Sequence, residues 1–161
     1  ARRRPGRLAR PLRRRRRLAG IKTAETIAFA PTLVERAFAL RTVSPFDRLT
    51  PAELVLLADI ADARAYAPGE VVHPGGLPFP RLFAVVAGRV VDESGAPAGS
   101  LLGALSLIRH TDGPRLVADP ATGARIIRLD RGPFFTILRE CPAFTLGLLA
   151  LGLRPATASP A

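Results

Sequence analysis

The stretch IIRLDRGPFFTILRECPAF, residues 126–144, changes its period halfway along. Ile127 and Leu129 alternate with Arg128 and Asp130, the two-residue period of a strand with one buried face. Gly132 and Pro133 break that period, and a helix is expected from Phe134 to about Glu140. Pro142 opens another, running to about Leu153. Phe134 and Phe135 lie on an apolar helix and read as core packing, not as a platform for stacking bases. A strand needs partners, so the residues before it should supply a sheet.

They do supply strand signals. LVADPATGARIIRLD (116–130) reads as a hairpin whose loop is Asp119-Pro120-Ala121-Thr122-Gly123. Arg81 to Ala87 (RLFAVVA) is a further strand, Gly88 a tight bend, and Arg89-Val90-Val91 the start of the next. Glu70 to His73 is a strand between the turns Pro68-Gly69 and Pro74-Gly75-Gly76. Short, regularly spaced strands of this kind make a small barrel or sandwich. Two helices come first. LVERAFALRTV (33–43) places Leu33, Val34, Ala37, Phe38, Leu40 and Val43 at steps of three and four, and Pro45 ends it. Thr50 is an N-cap, Pro51 takes the first helical position and Glu53 completes a capping box. That second helix is expected from Ala52 to about Ala63, burying Leu54, Leu57, Ala58 and either Ile60 or Ala61.

Composition bounds the rest. The chain has 161 residues and is 48% hydrophobic, enough for one packed domain. The net charge is +11, but residues 1–17 hold ten arginines (Arg2, Arg3, Arg4, Arg7, Arg10, Arg13, Arg14, Arg15, Arg16 and Arg17) and no acid. Setting those aside leaves 14 basic against 13 acidic residues, so the basicity belongs to an appendage. Lys22 is the only lysine, and Met and Trp are absent, a bias that points to genome composition and weakens any reading of each arginine as a selected contact. Cys141 is alone, which excludes an intrachain disulfide, and it reads as a small apolar residue near a helix start. No run reaches the roughly 20 apolar residues that span a bilayer. LAGIKTAETIAFA (18–30) departs from a signal peptide because Lys22 and Glu25 interrupt it. A cytoplasmic protein, or the cytoplasmic part of a membrane-associated one, is expected. His73 and His110 are the only histidines and form no His-x-His pair, so no metal site is expected. There is no Ser-His-Asp elbow and no P-loop, so no catalytic residue is assigned and the chain is read as no enzyme.

The order is now helix, capped helix, small barrel, Gly-led turn, hairpin, two helices. On PFDRLTPAELVLLADIADARAYAPGEVV (45–72), RLFAVVAGRVV (81–91) and IIRLDRGPFFTILRECPAF (126–144), the chain resembles the cyclic nucleotide-binding domain superfamily. The lead-in LVERAFALRTVSPF is similar to what precedes such domains in bacterial proteins. The resemblance implies a mainly β fold with flanking helices: a shortened jelly roll, N-terminal helices before it and C-terminal helices after it. Residues 1–20 would then be a disordered Arg-rich tail, 21–44 a lead-in helix, 45–154 the domain, and 155–161 a disordered tail. The stretch from Gly88 to Gly103 is shorter than the family pattern, as if one hairpin were missing or merged.

The resemblance also directs attention to SLLGALSLIRHTDGPR (100–115). In the family a glycine opens a short helix, a neighbouring glutamate accepts a hydrogen bond from the ribose 2′-hydroxyl, and a later arginine pairs with the cyclic phosphate. Gly103 fits the glycine, Leu105 and Ser106 fit the helix, and Arg115 fits the arginine. Ala104 stands where the glutamate should be, and the chain after Arg115 is short. The implied ligand is cyclic AMP or cyclic GMP, with no other cofactor, and its binding is altered or lost. The implied role is a regulatory, sensor or interaction module in signal transduction. Its C-terminal helices would pass the state of the cassette to an attached domain or a second copy. The alternative is nucleic-acid or anionic-lipid binding through Arg13, Arg14, Arg15, Arg16 and Arg17.

Overall fold

The computed structural model describes residues 29–152. The Arg-rich segment 1–20, the first part of the 21–44 lead-in and the tail beyond residue 152 lie outside the described residues. The chain opens with α1 (Leu33–Arg41), a 3-10 turn (Phe46–Arg48) and α2 (Pro51–Ile60). Seven strands follow, β1 (Asp62–Tyr66), β2 (Val71–Pro78), β3 (Arg81–Gly88), β4 (Val90–Val91), β5 (Leu101–Leu102), β6 (Asp112–Ala118) and β7 (Ala124–Asp130). Helix α3 (Ala104–Arg109) stands between β5 and β6, and α4 (Arg131–Glu140) and α5 (Pro142–Ala150) close the described chain.

The helix starts follow from local chemistry. Thr50 Oγ1 accepts from the Glu53 N–H at 3.3 Å, and the Glu53 carboxylate accepts from the Thr50 N–H at 2.7 Å. Thr32 and Glu35 repeat the same reciprocal box at the start of α1. Each such cap stabilises its helix by about 1 kcal/mol. Helix α2 ends at Ile60, three residues before the expected limit, because Asp62 to Tyr66 pairs with Arg128 to Ala124 of β7. Ala61, not Ile60, is the buried alternative. Its carbonyl accepts from Arg36 of α1 at 2.6 Å, tying the end of α2 to α1. In α1, Ala37 and Leu40 are buried while Val34 and Phe38 remain exposed, so the apolar stripe read from the sequence is wider than the face that packs.

All strand pairing is antiparallel, in two sheets of order β1-β7-β3-β5 and β2-β6-β4. Alternation along β3 and β7 divides the core in two. Leu82, Ala84, Ile127 and Leu129 face the helices, where Phe46, Phe134 and Phe144 are fully buried. Phe83, Val85, Ala124 and Ile126 face the opposite way, into the space between the sheets, and meet Tyr66, Val72, Phe79 and Leu116. Burial of each large side chain stabilises by roughly 1.5–3 kcal/mol. The expected turn at Pro74-Gly75-Gly76 is instead a bulged part of β2, with a register shift between Pro74 and Leu77. Strand β2 is at the sheet edge, where a proline is tolerated. Between β4 and β5 only a turn at Asp92–Ala96 and one bridge from Val91 to Pro97 remain. Among the described residues no helix is long and apolar enough to cross a membrane.

Candidate functional site

Helix α3 lies where β5 leaves the four-stranded sheet. Gly103 caps it with φ of +89°, a left-handed conformation that only glycine adopts readily. A Cβ at Gly103 would also come within 2.8 Å of the Arg81 carbonyl and of the Phe79 ring. The Gly103 carbonyl accepts from the Leu107 N–H at 2.9 Å and so begins the helix. Ser106 is buried and committed: its Oγ accepts from the Phe79 N–H at 2.8 Å and donates to the Thr111 carbonyl. This residue fastens α3 to the β2–β3 connection, and its hydroxyl proton is already spent on the Thr111 carbonyl.

Beside α3 is a cavity of about 380 Å³. Ala104 and Leu105 form one wall, Leu101 and Leu102 of β5 a second, and Phe79, Pro114 and Leu116 a third. Leu148 and Leu151, in α5 and just after it, close the far side. Thus Gly103, Ala104 and Leu105 come together at the cavity, and Ser106 stands behind them. Arg115 does not join them. It sits in β6 opposite Pro74, while its neighbours Pro114 and Leu116 line the cavity. Successive strand residues point to opposite faces, so Arg115 is on the outer one. It is exposed, and its nearest carboxylate is Glu93 at 3.8 Å.

Among the described residues, the one ionisable side chain lining this cavity is that of Asp92, which the sequence reading did not select. Its Oδ1 accepts from the Ser94 N–H at 2.8 Å, the Ser94 hydroxyl at 2.6 Å and the Ala96 N–H at 3.0 Å. The Ser94 side-chain bond, followed by the Ala96 backbone bond, holds this carboxyl below the usual range, so it is ionised at neutral pH. The Asp92-Glu93-Ser94-Gly95 composition announces a turn, but its place at the cavity depends on the shortness of β4 and β5.

Other sequence candidates take structural positions. The His73 ring stacks on Phe79 with centroids 4.0 Å apart, and its Nδ1 lies 2.9 Å from the Pro114 carbonyl. His110 lies against Arg131 at 2.8 Å. The described residues bring no three His, Cys, Asp or Glu together as a metal site. Cys141 sits between α4 and α5 and donates to Glu53 Oε1 at 3.4 Å; burial, then the Glu53 carboxylate, pushes its thiol up. Phe134 is buried against the helix-side core, and Phe135 is partly buried there. Arg13 to Arg17 lie outside the described residues.

Solved structures share this fold. The regulatory subunit of a cAMP-independent protein kinase A from Trypanosoma brucei matches with a TM-score of 0.61 at 20% identity, over 76% of this chain and 48% of that one. A cAMP-binding acyltransferase from Mycobacterium smegmatis matches at 0.57 and 24% identity, over 74% and 40%. The catabolite activator protein of Thermus thermophilus matches at 0.53 and 24%, over 66% and 55%. The chain spans about half the length of such structures, 46% to 57% in four of them. No protein-family model matches the chain, and no curated protein does either. The chain has the fold of the cyclic nucleotide-binding domains, an antiparallel jelly roll with helices before and after it.

Proposed function

We propose that the chain is a regulatory module of the cyclic nucleotide-binding type whose cassette no longer holds a cyclic phosphate, and whose output runs through α4 and α5. The carrying observation is the charge of the cavity: Asp92 lines it and Arg115 is outside it. A cyclic phosphate entering there would lose water without gaining a cation from the described residues. One missing hydrogen bond to a charged group weakens binding by about 1.5–3 kcal/mol, roughly ten- to hundredfold. Ala104 supplies no acceptor where the family's glutamate would meet the ribose. The neighbours named as regulatory subunits and activators support a binding module over an enzyme.

Output through α5 follows from its placement. Leu148 and Leu151 are part of the cavity wall, and Phe144 anchors the same helix on Phe46 with ring centroids 5.1 Å apart. Leu146, Leu149 and Leu151 are exposed, so this stretch is apolar on its outer side too and offers a seat to an attached domain or a second copy. Calorimetric titration of the protein with cyclic AMP and cyclic GMP tests the reading. No saturable heat at millimolar nucleotide is expected. Micromolar binding that Arg115→Ala abolishes would overturn it.

A second reading rests on where the charge lies. Ten arginines without an acid in residues 1–17 suit a nucleic acid or an anionic lipid surface. Deleting residues 1–17 would then abolish binding to duplex DNA, RNA or anionic vesicles. Retained binding after the deletion would remove this reading.

A further inference from the structure

We propose that the cavity beside α3 takes a small apolar amine, its hydrocarbon part among the leucines and its ammonium group on Asp92. The inference rests on the reading above, that the site does not hold a cyclic phosphate. A volume of about 380 Å³ is that of a small-ligand site. Its walls are aliphatic and aromatic: Phe79, Leu101, Leu102, Leu105 and Leu116, with Leu148 closing the far side. Such walls reward hydrocarbon and offer polar head groups little.

Charge then selects the head group. Among the described residues Asp92 is the ionisable group lining the cavity, and its carboxyl is ionised at neutral pH. The three bonds that fix it all fall on Oδ1, and none of them uses Oδ2. Glu93, beside it, faces Arg115 at 3.8 Å on the outer surface, so that arginine is directed away from the cavity. An apolar anion would meet Asp92 as a like charge. A neutral hydrocarbon would strip water from the carboxylate and give nothing back, and a hydroxyl would return only an uncharged donor. An ammonium replaces that water with a charge-assisted hydrogen bond. Because Leu148 and Leu151 belong to the same wall, an occupant bears directly on α5, which makes the amine the signal that the module reads.

Octylamine, octanol and octanoate are straight eight-carbon ligands that differ in head group and in charge. Their dissociation constants on the whole protein, measured calorimetrically beside cyclic AMP, test the inference. Octylamine is expected to bind tighter than octanol by roughly tenfold or more, and octanoate weakest. Asp92→Asn keeps the Oδ1 acceptor and removes the charge, so it should erase the preference for the amine. Leu105→Phe fills the cavity and should weaken all three. Octanoate binding as tightly as octylamine, an order unchanged in Asp92→Asn, or no saturable binding of octylamine would each overturn the inference. Micromolar cyclic AMP binding would instead sink the reading it rests on, whatever the order of the three.

Discussion

The β3–β7 pair and the β2–β6 pair belong to one jelly roll and live in different surroundings. β3 and β7 are covered on both faces, by the helices on one side and by the opposite sheet on the other. β2 and β6 turn one face inward, with Val72 and Leu116, while Val71 and Arg115 stand exposed. Stability is therefore concentrated at the first pair, and the candidate site is built at the margin of the second. A side chain at that margin can face solvent without cost to the core, as Arg115 does.

The sharpest way to break this comparison is at the doubly covered pair. Phe134→Ala empties a fully buried position against β3 and β7 and should lower the unfolding free energy by about 3–5 kcal/mol in urea. Val71→Ala on the edge strand should change it by about 0.5 kcal/mol. Equal losses would show that the two sheets share the core evenly.

Gly103→Ala comes next, at about 1–3 kcal/mol, since it combines a left-handed φ with a contact of 2.8 Å to backbone. A neutral outcome by chemical denaturation would mean that the cassette turn relaxes freely.

A smaller effect separates two acid–arginine pairs. Asp119 is buried at the β6–β7 loop, accepts from the Ala121 N–H at 2.7 Å and meets Arg89 at 2.8 Å. The Ala121 bond first, and then Arg89, hold its carboxyl below the ordinary 3.8. A pKa lowered by folding contributes stability that is complete above the unfolded value and is lost as pH falls through the folded one. Asp119→Asn should therefore lower Tm at neutral pH, and the gap to the parent should close as pH falls below 3.8. A gap that widens in acid would reverse the assignment. Arg115 and Glu93 are the contrasting pair, 3.8 Å apart with the Glu93 side chain 75% exposed. Arg115→Ala should shift stability by less than about 0.5 kcal/mol.

The same contrast explains what was legible in the sequence. RLFAVVA gave itself away because double burial requires a near-continuous apolar run, and IIRLD by the alternation of Ile127 and Leu129 with Arg128 and Asp130. Thr50, Pro51 and Glu53 specified a helix start through bonds made within three residues. β1 was hidden, since its alanines favour helix and only pairing with β7 makes Asp62–Tyr66 a strand. Pro74-Gly75-Gly76 carried a turn signal that the edge position overrode. At the site, Gly103 was found through the family resemblance, and its left-handed φ gives that glycine its steric reason. Asp92 did not, because its meeting with Leu105 and Leu148 is a property of the folded chain.

The central claim is that the cassette has no hold on a phosphate. The most direct measurement compares the affinities of the whole protein for cyclic AMP and for adenosine, which lacks the phosphate. The account expects adenosine to bind at least as well as cyclic AMP. Cyclic AMP binding tenfold or more tightly, with that advantage lost in Arg115→Ala, would contradict it.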